Sequence, residues 1–330
     1  MRRREFVSFI IGAGVVWPFA ARAQPANVPV IGLLNSLSST SETAANNLSG
    51  LRKGLEDEGY AEGQNVTVMY RWAEGAYDRL PGLAADLVNH HVAVILATGN
   101  VAARAAKAST RTIPIVFTTG DDPVGTGLVS NLRRPGGNMT GVTTFAGALP
   151  VKRLEVLHEL VPSAKTILML INGRNANAER DAEAIKAAAK TLGLDVVIVQ
   201  AANQSELDRE LANMGGCGAE ALLVNTDAFF TDRRAQIVAA AAHNNLPAMY
   251  SNREFSEAGG LISYGAEGSF PVLYRYAGLY VARILKGESP GELPVMQQAK
   301  FDLMINLKTA RGLGLKVPTT LLARADEVIE

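Results

Sequence analysis

Short hydrophobic runs alternate with amphipathic stretches of helical length along the chain from Val28 onward. The runs are rich in β-branched residues and almost continuously apolar, which is typical of strands buried on both faces of a parallel sheet. The predicted strands are Val30–Leu34, Val66–Tyr70, Val92–Ala97, Ile113–Phe117, Met139–Val142, Thr166–Ile171, Val196–Val199, Ala221–Val224, Ala248–Tyr250, Leu261–Ser263 and Phe301–Ile305.

The stretches between these strands carry large apolar residues three and four positions apart. Leu48, Leu51 and Leu55 are one example, and this spacing places them on one face of a helix. Strands that alternate with such helices are typical of a sheet covered by helices on both faces. The pattern therefore predicts an α/β fold made of two doubly wound parallel-sheet lobes.

The spacing of strands and helices divides the chain into two similar halves with a third block behind them. We expect residues 24–145 and 253–291 to form an N-terminal lobe. Residues 146–252 and 292–330 are expected to form a C-terminal lobe. The chain then crosses between the lobes three times.

The first residues have the pattern of an export signal. Arg2-Arg3-Arg4 precedes an apolar run from Val7 to Phe19, and Ala21-Arg22-Ala23 matches the small-x-small motif of a cleavage site. We expect residues 1–23 to be removed during export to the periplasm, with Arg3-Arg4 directing the chain to the twin-arginine route. A membrane anchor is the weaker alternative, because the apolar run is shorter than the ~20 residues that a spanning helix needs.

Composition and charge narrow the classes of function. The formal net charge is +0 at pH 7, and no Lys/Arg-rich run follows the first four residues, so nucleic acid is not an expected partner. Cys217 is the only cysteine, which excludes an intramolecular disulfide and a multi-cysteine metal site. No later segment is long and apolar enough to cross a bilayer. We expect the mature protein not to span a membrane and to be a monomer.

Short polar side chains and glycines follow the predicted strands at their carboxyl ends. In open α/β sheets, ligands lie in the crevice outside these ends, and two facing lobes would turn the crevice into a closable cleft. The same residue types also cap helices and form turns, which is the alternative for each loop. The candidate ligand-binding residues in these loops are Ser36, Thr98, Gly99, Asn100, Thr119, Gly120, Asp121, Asn172, Asn225, Thr226, Asp227 and Asn252.

The chemistry of these loops suits a small polar or zwitterionic solute. Helix N-termini offer free N–H groups to a carboxylate, and Asp227 or Asp121 can receive a cationic group. Phe145 and Tyr250 also lie near strand ends and are candidates to line the cleft. Their alternative is a place in the hydrophobic core, where aromatic residues at strand ends more often lie.

No pattern in the sequence is typical of catalysis or of a cofactor. A G-x-S-x-G elbow, a P-loop and an H-E-x-x-H motif are all absent. The four histidines, His90, His91, His158 and His243, have no acidic or histidine partners at metal-ligand spacing. We predict no enzymatic activity, no cofactor and no bound metal. An exported enzyme that uses only carboxylates is the alternative.

Several longer motifs, spread over nearly the whole mature chain, point to one family. They are Val30-Ile31-Gly32-Leu33-Leu34, Gly54-Leu55 with Gly59-Tyr60, Asp121-Asp122-Pro123-Val124-Gly125, Pro135-Gly136-Gly137-Asn138, Lys152-Arg153-Leu154-Glu155, and Ile305-Asn306-Leu307-Lys308-Thr309-Ala310. In this combination the chain resembles the ABC-transporter substrate-binding proteins of the type I periplasmic binding protein fold. The resemblance is to the subgroup that includes the tryptophan/tyrosine-type uptake proteins.

The resemblance implies two lobes that close over a solute by hinge bending and deliver it to ABC permease and ATPase subunits. It adds Ser38, Ser39 and Thr40 to the expected ligand contacts. In relatives the loop after the Thr166–Ile171 strand is often rich in Asn and Pro, whereas here it contains Arg174 and Asn175. Both are candidate contacts, and a cation at Arg174 would favour an acidic or aromatic carboxylate.

We therefore expect an extracytoplasmic solute-binding protein of an ABC uptake transporter. Its expected ligand is a small carboxylate-bearing solute, namely an amino acid, an aromatic one included, or an aromatic acid. Asp227 is expected to receive the amino group. The alternative function is a ligand-sensing soluble receptor that regulates a membrane partner.

Overall fold

The computed structural model describes residues 28–144, 149–175, 177–266, 270–298 and 300–330. The expected export signal in residues 1–23, with its twin-arginine motif and cleavage site, lies outside the described residues, and so does Phe145. The described residues form two β-sheets with helices on their faces. We call the first sheet with its helices the first lobe, and the second sheet with its helices the second lobe.

The first sheet has six strands in the described residues, and all of its pairs are parallel, in the order β11-β5-β4-β3-β1-β2. Its strands are β1 (Val30–Asn35), β2 (Thr67–Trp72), β3 (Val94–Thr98), β4 (Ile115–Thr119), β5 (Met139–Thr143) and β11 (Met296–Gln297). Its helices are α1 (Glu42–Glu56), α2 (Leu80–Asn89), α3 (Asn100–Ser109) and α10 (Phe270–Leu285).

The helices of the first lobe bury both faces of its sheet. Helices α1 and α10 form one core with Leu33 and Leu96, and helices α2 and α3 form a second core with Ile95 and Phe117. Helix α10 also packs backbone to backbone against α1. A Cβ atom on Gly54 of α1 would lie 2.0 Å from the carbonyl oxygen of Arg275, so only glycine permits this approach.

The second sheet has seven strands in the described residues, in the order β13-β12-β10-β9-β8-β6-β7. Its strands are β6 (Thr166–Ile171), β7 (Asp195–Gln200), β8 (Ala221–Val224), β9 (Ala248–Tyr250), β10 (Ile262–Ala266), β12 (Phe301–Asn306) and β13 (Glu327–Ile329). Its helices are α4 (Leu149–Leu160), α5 (Ala178–Leu192), α6 (Gln204–Asn213), α7 (Ala228–Asp232), α8 (Arg234–His243), α9 (Arg253–Glu257), α11 (Leu307–Gly312) and α12 (Thr319–Leu322).

The structure confirms the prediction of two α/β lobes joined by three crossings. It differs from the prediction in the direction of one strand pair and in two additional short strands. Strands β10 and β12 pair antiparallel, within an otherwise parallel sheet. Strands β11 and β13 were not predicted. They are only two and three residues long, so their hydrophobic pattern is too brief to stand out from a loop.

The crossing points also differ from those expected in the third block. Strand β10 lies in the second sheet, between β9 and β12, although residues 253–291 were assigned to the first lobe. Met296 and Gln297 pair with β5 in the first sheet, although residues 292–330 were assigned to the second lobe. Hydrophobic periodicity identifies a strand but does not tell which of two similar sheets it joins.

Candidate functional site

A cavity of about 190 Å³ lies between the two lobes, at the carboxyl ends of their strands. The loops after β1, β3 and β4 form its first-lobe wall, and the loops after β8 and β9 form much of its second-lobe wall. This is the position where open α/β sheets bind ligands. The sequence-predicted candidates that line it are Ser36, Thr98, Gly99, Asn100, Thr119, Gly120, Asp121, Asn175, Thr226, Asp227 and Asn252.

Four of the other candidates lie on the outer surface instead. Ser39 and Thr40 are exposed and Ser38 is half-buried, whereas the preceding Leu37 is buried. Ser38 and Thr40 share a hydrogen bond of 3.0 Å between their hydroxyls. Arg174 is also outside the cavity, where its guanidinium lies 3.3 Å from Asp78 of the first lobe. These four side chains are not among the described residues that line the cavity.

Three further candidates are buried but do not line the cavity. Asn172 and Asn225 lie behind it, where they donate to the carboxylates of Asp227 at 3.1 Å and Asp181 at 3.3 Å. Tyr250 belongs to the core of the second lobe, where it stacks on Phe255 with ring centroids 4.7 Å apart. Strand β9 is buried on both faces, which leaves the Tyr250 ring no path to the cleft.

Several cavity residues on helices were not among the candidates predicted from the sequence. Asn47 of α1, Arg153 of α4 and Asp181 of α5 all line the cavity. Each one is followed by a buried apolar residue four positions later, namely Leu51, Leu157 and Ile185. Residues four apart share a helix face. A polar or charged residue on an otherwise apolar stripe was therefore the available signal.

Asp227 connects the two lobes beside the cavity. It caps α7, and its Oδ1 accepts hydrogen bonds from the Phe229 N–H at 2.9 Å, the Tyr77 hydroxyl at 3.0 Å and Asn172 at 3.1 Å. Its Oδ2 accepts one, from Asn175 at 2.9 Å. Burial raises the pKa of Asp227, and the donated hydrogen bonds oppose that rise. Oδ2 is the oxygen with room for another donor.

A second bridge between the lobes involves Asp121. This first-lobe carboxylate accepts a hydrogen bond from Asn177 and lies 3.3 Å from the Arg180 guanidinium, both in the second lobe. Burial raises the pKa of Asp121, against the opposing charge of Arg180. The lobes are therefore joined by polar contacts at both Asp227 and Asp121.

Several polar atoms in the cavity walls have no partner among the described residues. Both amide atoms of Asn100, the Ser251 hydroxyl and Oδ1 of Asn252 are buried and unpaired. An unsatisfied buried polar group costs about 1–3 kcal/mol. All three residues line the cavity.

The N-terminus of α3 opens into the same cavity. Asn100 is its first residue, and Gly99 precedes it with a φ of 88°, a conformation that glycine adopts at low cost. Among the described residues, no side chain caps this helix end. Uncapped N–H groups at a helix N-terminus favour an anion.

The described lining of the cavity consists mainly of amides, hydroxyls, carboxylates, two arginines and apolar side chains. Neither a histidine nor a cysteine is among the described residues that line the cavity. No group of three or more His, Cys, Asp or Glu side chains within the described ranges is arranged to hold a metal ion. Across the same ranges, the helices are all too short or too polar to cross a membrane.

Comparison with known proteins shows relatives along almost the entire chain. A family model described as ABC transporter substrate binding protein matches residues 31–329. A tyrosine-binding protein of Clostridioides difficile (strain R20291) is 28% identical over 267 residues, which cover 81% of this chain and 76% of that protein.

Two solved structures are similar over 91% of this chain and 99% of their own. One is an ABC domain from Streptococcus pneumonia in complex with L-Trp, at 26% identity and a TM-score of 0.79. The other is a conserved domain protein from Vibrio cholerae O1 biovar eltor, at 27% identity and a TM-score of 0.80. Together with the interlobe cavity, these matches show that the chain belongs to the ABC transporter substrate binding protein family.

Proposed function

We propose that this protein is the extracytoplasmic solute-binding component of an ABC uptake transporter and that it binds one small carboxylate-bearing solute without changing it chemically. The observation that carries the proposal is the interlobe cavity with unpaired polar atoms in both of its walls. Asn100 lies in the first-lobe wall, and Ser251 and Asn252 lie in the second. One solute can satisfy both sets only while the lobes face each other.

The cavity offers separate partners for the two charges of an amino acid. Asp227 Oδ2 is the proposed acceptor for an ammonium group, and the α3 N-terminus with Asn100 is the proposed donor set for a carboxylate. Leu37, Val101 and Leu273 add apolar surface to the walls. These side chains suit a hydrophobic or aromatic side chain on the solute.

The relatives support this class of ligand. One is described as a tyrosine-binding protein and another was solved in complex with L-Trp. We therefore propose an aromatic amino acid as the leading candidate for the ligand of this protein, with other amino acids and aromatic acids as the alternatives. The comparisons do not support the alternative of a receptor that regulates a membrane partner.

The cellular context follows from the same proposal. The export pattern in residues 1–23, with its paired arginines, supports cleavage and delivery to the periplasm by the twin-arginine route. The expected partners there are ABC permease and ATPase subunits, and the expected state is a monomer that does not span the membrane.

A thermal-shift screen of the mature protein tests the proposed function. The compounds are the common L-amino acids, their aromatic members included, and a set of aromatic acids. A solute that binds only the folded protein stabilises it by about 2.7 kcal/mol at one hundred times its Kd, so a specific ligand raises the Tm by several degrees.

Isothermal titration calorimetry of each positive compound should then give one site per chain. The proposal predicts binding of at least one carboxylate-bearing solute. A protein stabilised only by sugars or metal ions, or one that turns the bound compound over, would contradict it.

A further inference from the structure

Arg153 is a charged residue in the middle of an apolar helix stripe. It lies on α4 between Leu149 and Leu157, one turn from each, and its side chain is only 2% exposed. It also lines the interlobe cavity. An arginine is almost never fully buried unless its charge is paired. The burial of Arg153 therefore calls for a counter-charge.

Neutral acceptors hold the guanidinium in place. Its Nε donates to the carbonyl oxygen of Tyr264 at 2.7 Å, its Nη1 to the Thr226 hydroxyl at 2.9 Å and its Nη2 to the carbonyl oxygen of Ser251 at 3.1 Å. A guanidinium has five N–H groups. One N–H on each terminal nitrogen is thus left without an acceptor among the described residues.

The positive charge has no ion-pair partner in the described parts of the chain. None of their carboxylates comes within 4.0 Å of the Arg153 guanidinium, although the charge of Asp181 acts on it from farther away. Burial lowers the pKa of Arg153 to about 10, against the raising effect of Asp181, so the group is protonated at neutral pH. A buried charge without a partner is strongly unfavourable.

Arg180, the other cationic residue in the described lining of the cavity, does have ion-pair partners. Arg180 is half-exposed, and its guanidinium already lies 3.3 Å from Asp121 and 3.4 Å from Asp181. Its charge is compensated by the protein itself. Arg153 is therefore the better placed of the two to meet an anionic group of a ligand.

We propose that Arg153 binds the carboxylate of the solute through the two free N–H groups of its guanidinium. This inference rests on the proposed function and adds the residue that selects a charged acid over a neutral analogue. A carboxylate has about four lone-pair sites, so it can accept from Arg153 in the second lobe and from the α3 N-terminus in the first. A carboxylate held in this way favours contact between the lobes.

The test measures how well the protein distinguishes an acid from its carboxamide. Calorimetry with L-tyrosine, L-tyrosinamide, L-tryptophan and L-tryptophanamide compares pairs in which the ammonium and the ring are retained and only the carboxylate is lost. We expect wild-type protein to bind the better acid at least about tenfold more tightly than its amide, since a charge-assisted hydrogen bond is worth more than a neutral one.

The ratio to compare is the Kd of the amide divided by the Kd of its acid. The variant Arg153→Gln should reduce this ratio to less than about threefold, whereas Arg180→Gln should leave most of it in place. A merely structural role for Arg153 would weaken both members of a pair equally and leave the ratio unchanged. If Arg153→Gln does not fold, Arg153→Lys replaces it, and the ratio should fall because an ammonium cannot form the two-pronged contact.

The outcomes separate this inference from the proposed function. Wild-type protein that binds an acid, together with an Arg153 variant that keeps the full ratio, overturns the role of Arg153 alone. Loss of the ratio in Arg180→Gln rather than in Arg153→Gln does the same. If the thermal-shift screen finds a different acid, that acid and its carboxamide replace the four compounds. Wild-type protein that binds no carboxylate-bearing solute in that screen overturns both proposals.

Discussion

An Asp227→Asn variant should bind amino acids about 5- to 150-fold more weakly than wild type, while the ligand-free variant gains stability relative to wild type as the pH rises from acid to neutral. The affinity falls because an ammonium group loses a charged partner, a loss of about 1–3 kcal/mol. Aromatic acids without an amino group should bind the variant as well as they bind wild type. Calorimetry with both kinds of solute measures this difference.

The gain in stability has a physical cause in the buried carboxylate. The Asp227 side chain is 4% exposed and is surrounded by the neutral donors Tyr77, Asn172 and Asn175. Burial raises its pKa despite these hydrogen bonds, so the ionised form destabilises the folded protein relative to the protonated form. An amide is never ionised and so removes this pH-dependent cost, although its Nδ2 atom cannot accept a hydrogen bond such as the one that Asn175 donates to Oδ2.

The pH dependence of this gain follows from the direction of the pKa shift. The folded protein holds the Asp227 proton more tightly than the unfolded chain, whose carboxyl has the ordinary value of 3.8. The cost of ionisation is fully present above the folded pKa and disappears as the pH falls below the unfolded value. Denaturation of both proteins at several pH values should show a difference that shrinks toward acid.

A matched control is Asp195→Asn, which changes an exposed aspartate on β7. We expect no change in its affinity for any solute. The account of Asp227 is contradicted if Asp227→Asn keeps full affinity for amino acids, or if its stability difference from wild type grows as the pH is lowered.

An Asn100→Ala variant should lose affinity for the solute while the ligand-free protein becomes more stable. Asn100 is only 8% exposed, and both atoms of its side-chain amide are unpaired among the described residues. If the amide pairs with the solute, its loss should weaken binding about 5- to 150-fold, equivalent to about 1–3 kcal/mol.

The ligand-free Asn100→Ala protein should unfold at a higher denaturant concentration than wild type, because the buried unpaired amide is gone. Asn46→Ala is the matched control, since Asn46 is an exposed amide on α1 outside the cavity. Its affinity should not change. Unaltered affinity in Asn100→Ala would remove this residue from the site, and a loss of stability would mean that the amide has a structural partner.

The sequence predicts the sheets of this protein better than its site. Buried strands such as β6 and β8 have the bounds expected from their apolar runs, because a strand buried on both faces leaves a continuous signal. The short run Leu261–Ser263 indicates a strand where β10 lies, yet periodicity does not say that this strand pairs with β9 and β12. That choice depends on contacts between residues far apart in sequence.

The site was predictable where it follows strands and not where it lies on helices. Gly99, Asp121 and Asp227 follow strands at the edge where ligands bind, so the rule for open sheets locates them. The same rule also selected Tyr250, whose ring turns into the core. Arg153 was visible only as a charge on an apolar helix stripe, a pattern that tertiary structure alone explains.

The most direct test of solute binding is native mass spectrometry of the mature protein purified from its own host. We expect a mass excess that corresponds to one small carboxylate-bearing molecule per chain, released unchanged when the protein is denatured. A protein that carries no such molecule and gains none when amino acids or aromatic acids are added would contradict the account. Release of a chemically altered molecule would contradict it equally.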